Sequence, residues 1–351
     1  NARARQAERG RRMSSVLDAV KKRGDWPATR QAIEAAVQVV HGKLPKEPID
    51  PQAKIIEEQT FPGVVRRRVN YFVDEWSRIT AWMFIPEDEV DCPAILCLHG
   101  RTPNGKDECA GIDSDPLLAF ARHYAELGYV TFAPDTITCG ERVSSRGMAL
   151  DTRAHYKDNN KMTALGKMLW DNICCLDVMS EMREIDPGRL GVIGHDLGAV
   201  NALMLAAFDD RVRTTVASCG FTRFTAEANA NRWAPEEGLV LVPSMRQAFE
   251  SQSFPFEWDD VLALIAPNPV LIASATNDEV LPGPESVADA VKAAQSVYKM
   301  IGAKEALQHF THNGGHAMTI EALEAADAWF DRWLSLPYDH PVEVEGPMRW
   351  D

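Results

Sequence analysis

Apolar residues near the start of the chain recur at helical spacing. They stand at Val16, Leu17, Val20, Ile33 and Val40, among others, and this spacing predicts a helical segment over residues 13–42. The three prolines of the stretch KLPKEPIDP then break the helix. We therefore expect residues 1–55 to form an N-terminal helical extension that packs on the main domain.

From residue 64 the pattern changes to short apolar runs that alternate with helical segments. VVRRRVNYFV and RITAWMFIP predict a hairpin across a DEWS turn. The later runs predict six more strands, AILCLHG, YVTFAP, LGVIG, VRTTVAS, PVLIASA and LQHFTH. Helices are predicted over 115–127, 161–184, from 197, over 284–301 and over 318–334. This alternation predicts an α/β fold whose mostly parallel sheet is covered by helices on both faces.

Two insertions interrupt this alternation. One covers about residues 136–160 and the other about residues 220–260. Long irregular insertions in a compact domain often act as lids over a functional site. We assign residues 56–340 to one catalytic domain that contains both insertions, and residues 341–351 to a C-terminal tail.

Composition limits the kinds of molecule that the protein is expected to bind. The 351 residues are 45% hydrophobic, enough for a large core, and carry a formal net charge of -14. That charge disfavours nucleic acid and anionic membranes, and no apolar run approaches the roughly 18 residues of a membrane-spanning helix. We expect a small-molecule substrate, while the oligomeric state stays open.

The cysteines and the N-terminal segment bear on the cellular location. The seven cysteines follow no zinc-binding spacing and favour a reducing compartment. The basic N-terminus lacks the apolar core of a signal peptide. The expected location is therefore cytoplasmic, or secreted or periplasmic if a signal peptide was removed before residue 1.

The most specific local signal is the segment GVIGHDLGAV at residues 191–200. Gly194, Asp196 and Gly198 follow the form G-x-nucleophile-x-G between a predicted strand and a predicted helix. The glycines permit a tight, strained turn that lifts the central side chain above the sheet. Asp196 is thus the candidate nucleophile, and the N–H of Leu197, at a helix N-terminus, is a candidate donor to an oxyanion.

Partners for Asp196 follow in the chain order nucleophile, acid, histidine. Asp278 stands in the loop after the strand PVLIASA, and His316 stands in a glycine-containing loop after LQHFTH. Glu279 and His312 are the competing neighbours, and we prefer Asp278 and His316. A second oxyanion donor is expected after the strand AILCLHG, where the N–H of Arg101 follows a glycine.

Taken together, these segments resemble the dienelactone-hydrolase and acetyl-xylan-esterase-like branch of the α/β-hydrolase superfamily over about residues 60–336. The resemblance implies the α/β-hydrolase fold, hydrolysis of esters, and neither a metal nor an organic cofactor. The departure is Asp196, because members of this branch normally carry serine or cysteine there. An aspartate at this position is similar to haloalkane dehalogenases, fluoroacetate dehalogenases and epoxide hydrolases.

An aspartate changes the chemistry of this strand–turn–helix motif, which is called the nucleophile elbow. It is already ionised, since its reference pKa is near 4, and its attack on saturated carbon gives a stable ester that water activated by His316 then hydrolyses. Three interpretations compete: Asp196 displaces a halide or opens an epoxide; Asp196 replaces the serine of a carboxylic ester hydrolase; or the protein is a binding module without activity. Candidate substrate-binding residues are the insertion and helix residues Trp233, Arg232, Tyr156 and Trp170, whose polar groups suit anions.

Overall fold

The structure is a computed structural model of the chain. It describes residues 15–47, 49–87, 90–112, 114–143, 147–158, 161–227, 230–281 and 283–334. The basic start at residues 1–14 and the predicted tail at 341–351 lie outside the described residues.

Nine strands form one sheet in the described part of the chain. Their order is β1-β2-β3-β5-β4-β6-β7-β8-β9. The strands β1 to β3 and β5 pair antiparallel at one side, and the pairs from β5 through β4 to β9 are parallel. The bounds are β1 Lys54–Phe61, β2 Val64–Phe72, β3 Arg78–Pro86, β4 Cys92–Leu98, β5 Val130–Pro134, β6 Ile185–His195, β7 Val212–Ser218, β8 Val270–Ala275 and β9 Leu307–His312.

Helices cover both faces of this sheet. On one face α5, α6 and α9 pack against the strands, with α1 and α8 packed on these helices, and on the other face α3 and α10 pack against the strands. The fold class is therefore the one that the strand–helix alternation predicted. The bounds are α1 Trp26–His41, α2 Lys106–Ala110, α3 Phe120–Glu126, α4 Arg153–Asp158, α5 Ala164–Glu181, α6 Leu197–Phe208, α7 Met245–Ser251, α8 Trp258–Ile265, α9 Pro284–Met300 and α10 Ile320–Leu334.

The helical segment predicted over residues 13–42 is confirmed as an α-helix only from Trp26 to His41. Two short 3-10 turns precede α1, and the α-helix begins only at Trp26. The carboxylate of Asp25 accepts the N–H groups of Lys21 and Lys22, which bends the chain just before the helix. Pro27 then occupies the first helical turn, where a missing N–H costs no hydrogen bond.

Strand β1 was not predicted. All eight of its residues are exposed, because it pairs only with β2 at the edge of the sheet. An edge strand without a buried face shows no apolar alternation, so its sequence KIIEEQTF gives no strand signal. Because β1 begins at Lys54, the sheet begins within residues 1–55; the division of the chain into domains stays a prediction.

The two insertions pack against each other at the carboxyl edge of the parallel strands. The N–H of Thr152 donates to the carbonyl oxygen of Gly238 at 3.1 Å. The hydroxyl of Tyr156 lies 3.1 Å and 3.0 Å from the carbonyl oxygens of Val240 and Leu241. Their role as lids stays a prediction. In the described ranges, no helix is both long and apolar enough to cross a membrane.

Candidate active site

Asp196 occupies a strained turn between β6 and α6. Its φ of 50° and ψ of -115° lie outside the regions that non-glycine residues favour. A Cβ atom on Gly198 would lie 2.0 Å from the carbonyl oxygen of Leu98, and one on Gly194 would lie 2.1 Å from the carbonyl carbon of Gly198. Both glycines of the predicted motif are thus required by close backbone contact.

The two carboxylate oxygens of Asp196 have different partners. Oδ2 accepts the backbone N–H of Arg101 at 3.1 Å. Oδ1 accepts from Nη2 of Arg232 at 3.3 Å and lies 3.6 Å from Nη1 of Arg101. Burial opposes ionisation, but the interactions with His316, Arg101 and Arg232 outweigh it and lower the pKa of Asp196. The carboxylate is therefore ionised throughout the neutral range.

His316 stands between Asp278 and Asp196. Its Nδ1 hydrogen-bonds the carboxylate of Asp278 at 2.9 Å, and its Nε2 lies 3.6 Å from Oδ1 of Asp196. Asp278 is held in turn by the N–H groups of Val280 and Leu281. Burial disfavours the imidazolium, but the two carboxylates raise the pKa of His316 to about 9. At neutral pH His316 is thus a cation.

The competing residues take other positions. His312 is the last residue of β9, and its Nδ1 accepts the N–H of Gly314. Glu279 is exposed and accepts the backbone N–H of His316 at 3.3 Å rather than a ring proton. The structure thus brings together Asp196, His316 and Asp278, the three residues preferred from the sequence.

The loop that carries the Arg101 N–H is fixed by neighbouring side chains. Oε2 of Glu108 accepts the N–H of Gly100 at 2.7 Å, and Nδ1 of His99 donates to the Gly100 carbonyl at 2.8 Å. The Thr136 N–H donates to Nε2 of His99, which fixes the neutral tautomer of this ring. Sequence reasoning missed Glu108, because no motif marks an acid on the short helix α2.

Two further candidates, Leu197 and Arg232, lie next to Asp196 in the chain and in space, respectively. Leu197 is the first residue of α6, so its N–H has no acceptor within the helix. Its role as an oxyanion donor stays a prediction. Arg232 reaches Asp196 from the second insertion, through the short turn Ala230–Arg232.

The other three substrate-binding candidates have polar groups engaged elsewhere. Nε1 of Trp233 donates to Glu227 at 3.1 Å, and the ring packs in the aromatic core of the second insertion. Nε1 of Trp170 donates to the carbonyl oxygen of Val73 at 2.7 Å. The Tyr156 hydroxyl joins the two insertions. The Tyr156 hydroxyl and the Trp170 indole N–H both donate to backbone carbonyl oxygens; contact of these residues with substrate stays a prediction.

One group of possible metal ligands occurs among the described residues. The sulfur of Cys219, a carboxylate oxygen of Asp278 and a ring nitrogen of His316 lie within 4.8 Å of one another. Burial raises the pKa of the Cys219 thiol to about 12, so it is not a thiolate at neutral pH. Since Asp278 and His316 are bound to each other, the simplest role for this pair is orientation of the imidazole.

A strand-to-helix elbow followed by acid and histidine loops, all at the carboxyl edge of a mostly parallel sheet, defines the α/β-hydrolase class. A family model described as "Glucuronyl esterase, fungi" matches residues 112–302, more than half of the chain. The chain belongs to this glucuronyl esterase family. The protein is accordingly a hydrolase, of a family of carboxylic ester hydrolases.

Individual relatives agree with this assignment. The YtaP protein of Bacillus subtilis (strain 168), named as a hydrolase, is 28% identical over 255 residues, which are 70% of this chain and 80% of that protein. The glucuronoyl esterase from Solibacter usitatus has a TM-score of 0.72 and 17% identity over 89% of this chain and 94% of its own. A promiscuous CE15 esterase from the marine bacterial metagenome has a TM-score of 0.70 and 18% identity over 90% of this chain and 94% of its own. The two structures show the same fold.

These comparisons decide among the three interpretations at the level of class. The expected superfamily is confirmed, and an enzyme is favoured over an inactive binding module. The ester-hydrolase alternative agrees with the family better than displacement of a halide or opening of an epoxide does. The position of Asp196 in the mechanism is not tested by the comparisons.

Proposed function

We propose that the protein hydrolyses carboxylic esters of carbohydrates through a covalent ester of Asp196. Membership of the glucuronyl esterase family supports the ester class. The observation that carries the proposal is the pose of the Asp196 carboxylate. Oδ2 accepts the N–H of Arg101, as a developing oxyanion would, while Oδ1 faces the imidazole of His316.

In the first step, Oδ1 of Asp196 attacks the alkyl carbon of the substrate ester. A bond forms between Oδ1 and this carbon, and the bond from the carbon to the substrate's carboxyl oxygen breaks. The carboxylate leaves with the electron pair. No base is needed, because the low pKa of Asp196 keeps the nucleophile ionised.

In the second step, water hydrolyses the Asp196 ester. His316 accepts a proton from water as its oxygen bonds to Cγ of Asp196, and negative charge develops on Oδ2, next to the N–H of Arg101. The bond from Cγ to Oδ1 then breaks. Oδ1 departs in the alcohol product, which takes the proton from His316, and the water oxygen stays in Asp196. The second proton of water then passes from the new carboxyl group to His316, which restores the resting ion pair.

The change in the charge of Asp196 explains how His316 can be a cation before substrate binds and a base in the second step. Its pKa is raised to about 9 partly by Asp196. Formation of the ester removes the negative charge of Asp196, so this contribution is lost and the pKa of His316 falls. The lower pKa favours release of the proton to solvent, and the neutral imidazole formed in this way is the base of the second step.

Attack at the alkyl carbon is preferred over attack at the acyl carbon. A carboxylate that attacks an ester carbonyl gives a mixed anhydride, which is a high-energy species, and must expel a far more basic alkoxide. Attack at an alkyl carbon gives an ordinary ester and expels a carboxylate. Esters of primary, benzylic alcohols suit this step best, because their carbon is open to displacement.

Displacement of a halide or opening of an epoxide is the second candidate. The observation that favours it is the aspartate itself, the residue type that haloalkane dehalogenases and epoxide hydrolases carry at this elbow. The first step has the same nucleophile and a different leaving group. Substrate panels therefore distinguish the two candidates.

The test is capture of the covalent ester in His316→Ala, because ester formation needs no base but its hydrolysis does. The variant is incubated with benzyl D-glucuronate, methyl D-glucuronate, 1-bromobutane and an epoxide, and the intact mass is measured. We expect a benzyl adduct on the peptide that contains Asp196. His123→Ala is the matched control, since His123 pairs with Asp327 at the surface, and it should turn over normally without an adduct.

An adduct only from the bromide or the epoxide would replace the proposal by the second candidate. Absence of any adduct, together with ester turnover by the wild type, would overturn the covalent role of Asp196.

A further inference from the structure

The carboxylate of Asp196 lies among three cationic side chains. Nη2 of Arg232 lies 3.3 Å from Oδ1, and Nη1 of Arg101 and Nε2 of His316 each lie 3.6 Å from it. Asp278 balances His316. Glu227 is the other acid near the two arginines, and burial raises its pKa. Asp196 is the carboxylate that lies within 4 Å of both guanidinium groups.

Both guanidinium groups are held in place by contacts that do not involve Asp196. Nη2 of Arg101 donates to the carbonyl oxygen of Arg232 at 2.9 Å. Nη2 of Arg232 lies 3.5 Å from the carbonyl oxygen of Gly220. Nε of Arg232 is buried and has no hydrogen-bond acceptor. The cations therefore stay beside the elbow if Asp196 loses its charge.

This inference rests on the proposed function, in which Asp196 loses its negative charge when it becomes an ester. When Asp196 becomes an ester, two partly buried guanidinium groups lose the charged carboxylate that both of them contact, which is costly in a site of low exposure. The carboxylate that leaves in the same step carries an equal charge. Guanidinium groups bind carboxylates in paired hydrogen bonds.

We propose that Arg101 and Arg232 form an anion subsite that becomes available when Asp196 is neutralised, and that it takes the carboxylate released from the substrate ester. The ligand class is a small monovalent anion. Its source is the carboxylate of a sugar acid for an ester substrate, or a halide for a haloalkane. The subsite stabilises the leaving group and returns the site to charge balance during the life of the covalent ester.

The test uses binding rather than turnover. Asp196→Asn keeps the shape of the side chain and removes its charge, as the covalent ester does. Isothermal titration calorimetry at constant ionic strength is run with sodium D-glucuronate, sodium acetate and sodium bromide. We expect Asp196→Asn, and Asp196→Ala as a second variant, to bind at least one carboxylate ten or more times tighter than the wild type.

The gain should require Arg232. In Asp196→Asn/Arg232→Gln the tighter binding should fall by at least tenfold, whereas Asp196→Asn/Arg122→Gln should keep it, since Arg122 is exposed and pairs with Glu126. Tighter binding of bromide but not of carboxylates would assign the subsite to a halide and overturn the carboxylate assignment.

Equal binding by Asp196→Asn, Asp196→Ala and the wild type would overturn the subsite. The same would follow if the gain persisted without Arg232. Because no turnover is measured, a failure of the covalent mechanism leaves this result interpretable.

Discussion

Nε2 of His316 lies 3.6 Å from Oδ1 of Asp196, so an imidazolium and a carboxylate face each other in the resting site. In a serine hydrolase the imidazolium forms only after the histidine has taken a proton from serine. Here it exists before any substrate binds, because Asp196 is ionised and His316 has a raised pKa. In the proposed function, Asp196 is therefore an ionised nucleophile before substrate binds, and His316 becomes a base only after Asp196 is neutralised.

Titration of His316 by NMR checks this dependence directly. We expect the wild-type imidazole to titrate near pH 9, and its pKa to fall in Asp196→Asn because one of the two carboxylates that raise it has lost its charge. An unchanged pKa in Asp196→Asn would contradict the proposed coupling.

The same titration has a consequence for folding. A pKa raised above 6.5 in the folded state stabilises the protein fully below about pH 6.5, and this contribution is lost as pH rises through about 9. The fall in the urea midpoint between pH 6 and pH 9.5 should therefore be smaller in Asp196→Asn than in the wild type.

Asp278 is predicted to orient His316. Asp278→Asn should lower kcat by about 10²-fold or more, because the amide oxygen stays with the N–H groups of Val280 and Leu281 and its NH2 faces Nδ1. The ring then loses the carboxylate that fixes its tautomer and raises its pKa. Glu279→Gln, a matched loss of the adjacent carboxylate, should cost far less. Similar losses in the two variants would assign the orienting role to the acidic loop as a whole.

Glu108 is predicted to be a positioning residue for the oxyanion donor. Glu108→Ala removes the acceptor of the Gly100 N–H, which frees the loop that presents the N–H of Arg101. We expect kcat to fall by roughly 10-fold or more with little change in KM, since loss of one oxyanion donor costs about 10²-fold to 10³-fold. Glu108→Gln keeps an acceptor and should retain most of the activity; equal losses in both variants would contradict this role.

Replacement of Asp196 by serine separates the two ester-hydrolase interpretations. If Asp196 is the nucleophile, Asp196→Ser should lose turnover of the ester that the wild type cleaves, because serine cannot form the same stable ester at an alkyl carbon. Rates on benzyl D-glucuronate and on short acyl esters are the measurement. An inactive wild type and an active serine variant on acyl esters would instead support replacement of an original serine.

The parts of the molecule that local sequence patterns determine could be predicted. The elbow around Asp196 and the loop of Asp278 each follow a strand of strong apolar character, and His316 follows the more polar strand LQHFTH. Their shared edge follows from a parallel sheet. The contact of Arg232 with Asp196 could not be derived, because an irregular insertion has no periodicity that fixes the direction of a side chain. The same lack of pattern explains why the contacts of the Tyr156 hydroxyl with Val240 and Leu241 were not predicted.

The central claim is that water attacks Cγ of Asp196 rather than the carbonyl of the substrate. A single turnover of benzyl D-glucuronate in heavy-oxygen water, with enzyme in excess, tests it by peptide mass spectrometry and analysis of both products. The account predicts one labelled oxygen in the peptide that contains Asp196, with unlabelled D-glucuronate and unlabelled benzyl alcohol. Label in D-glucuronate and none in Asp196 would contradict it, because the oxygen of water would then have gone to the acyl carbon of the substrate.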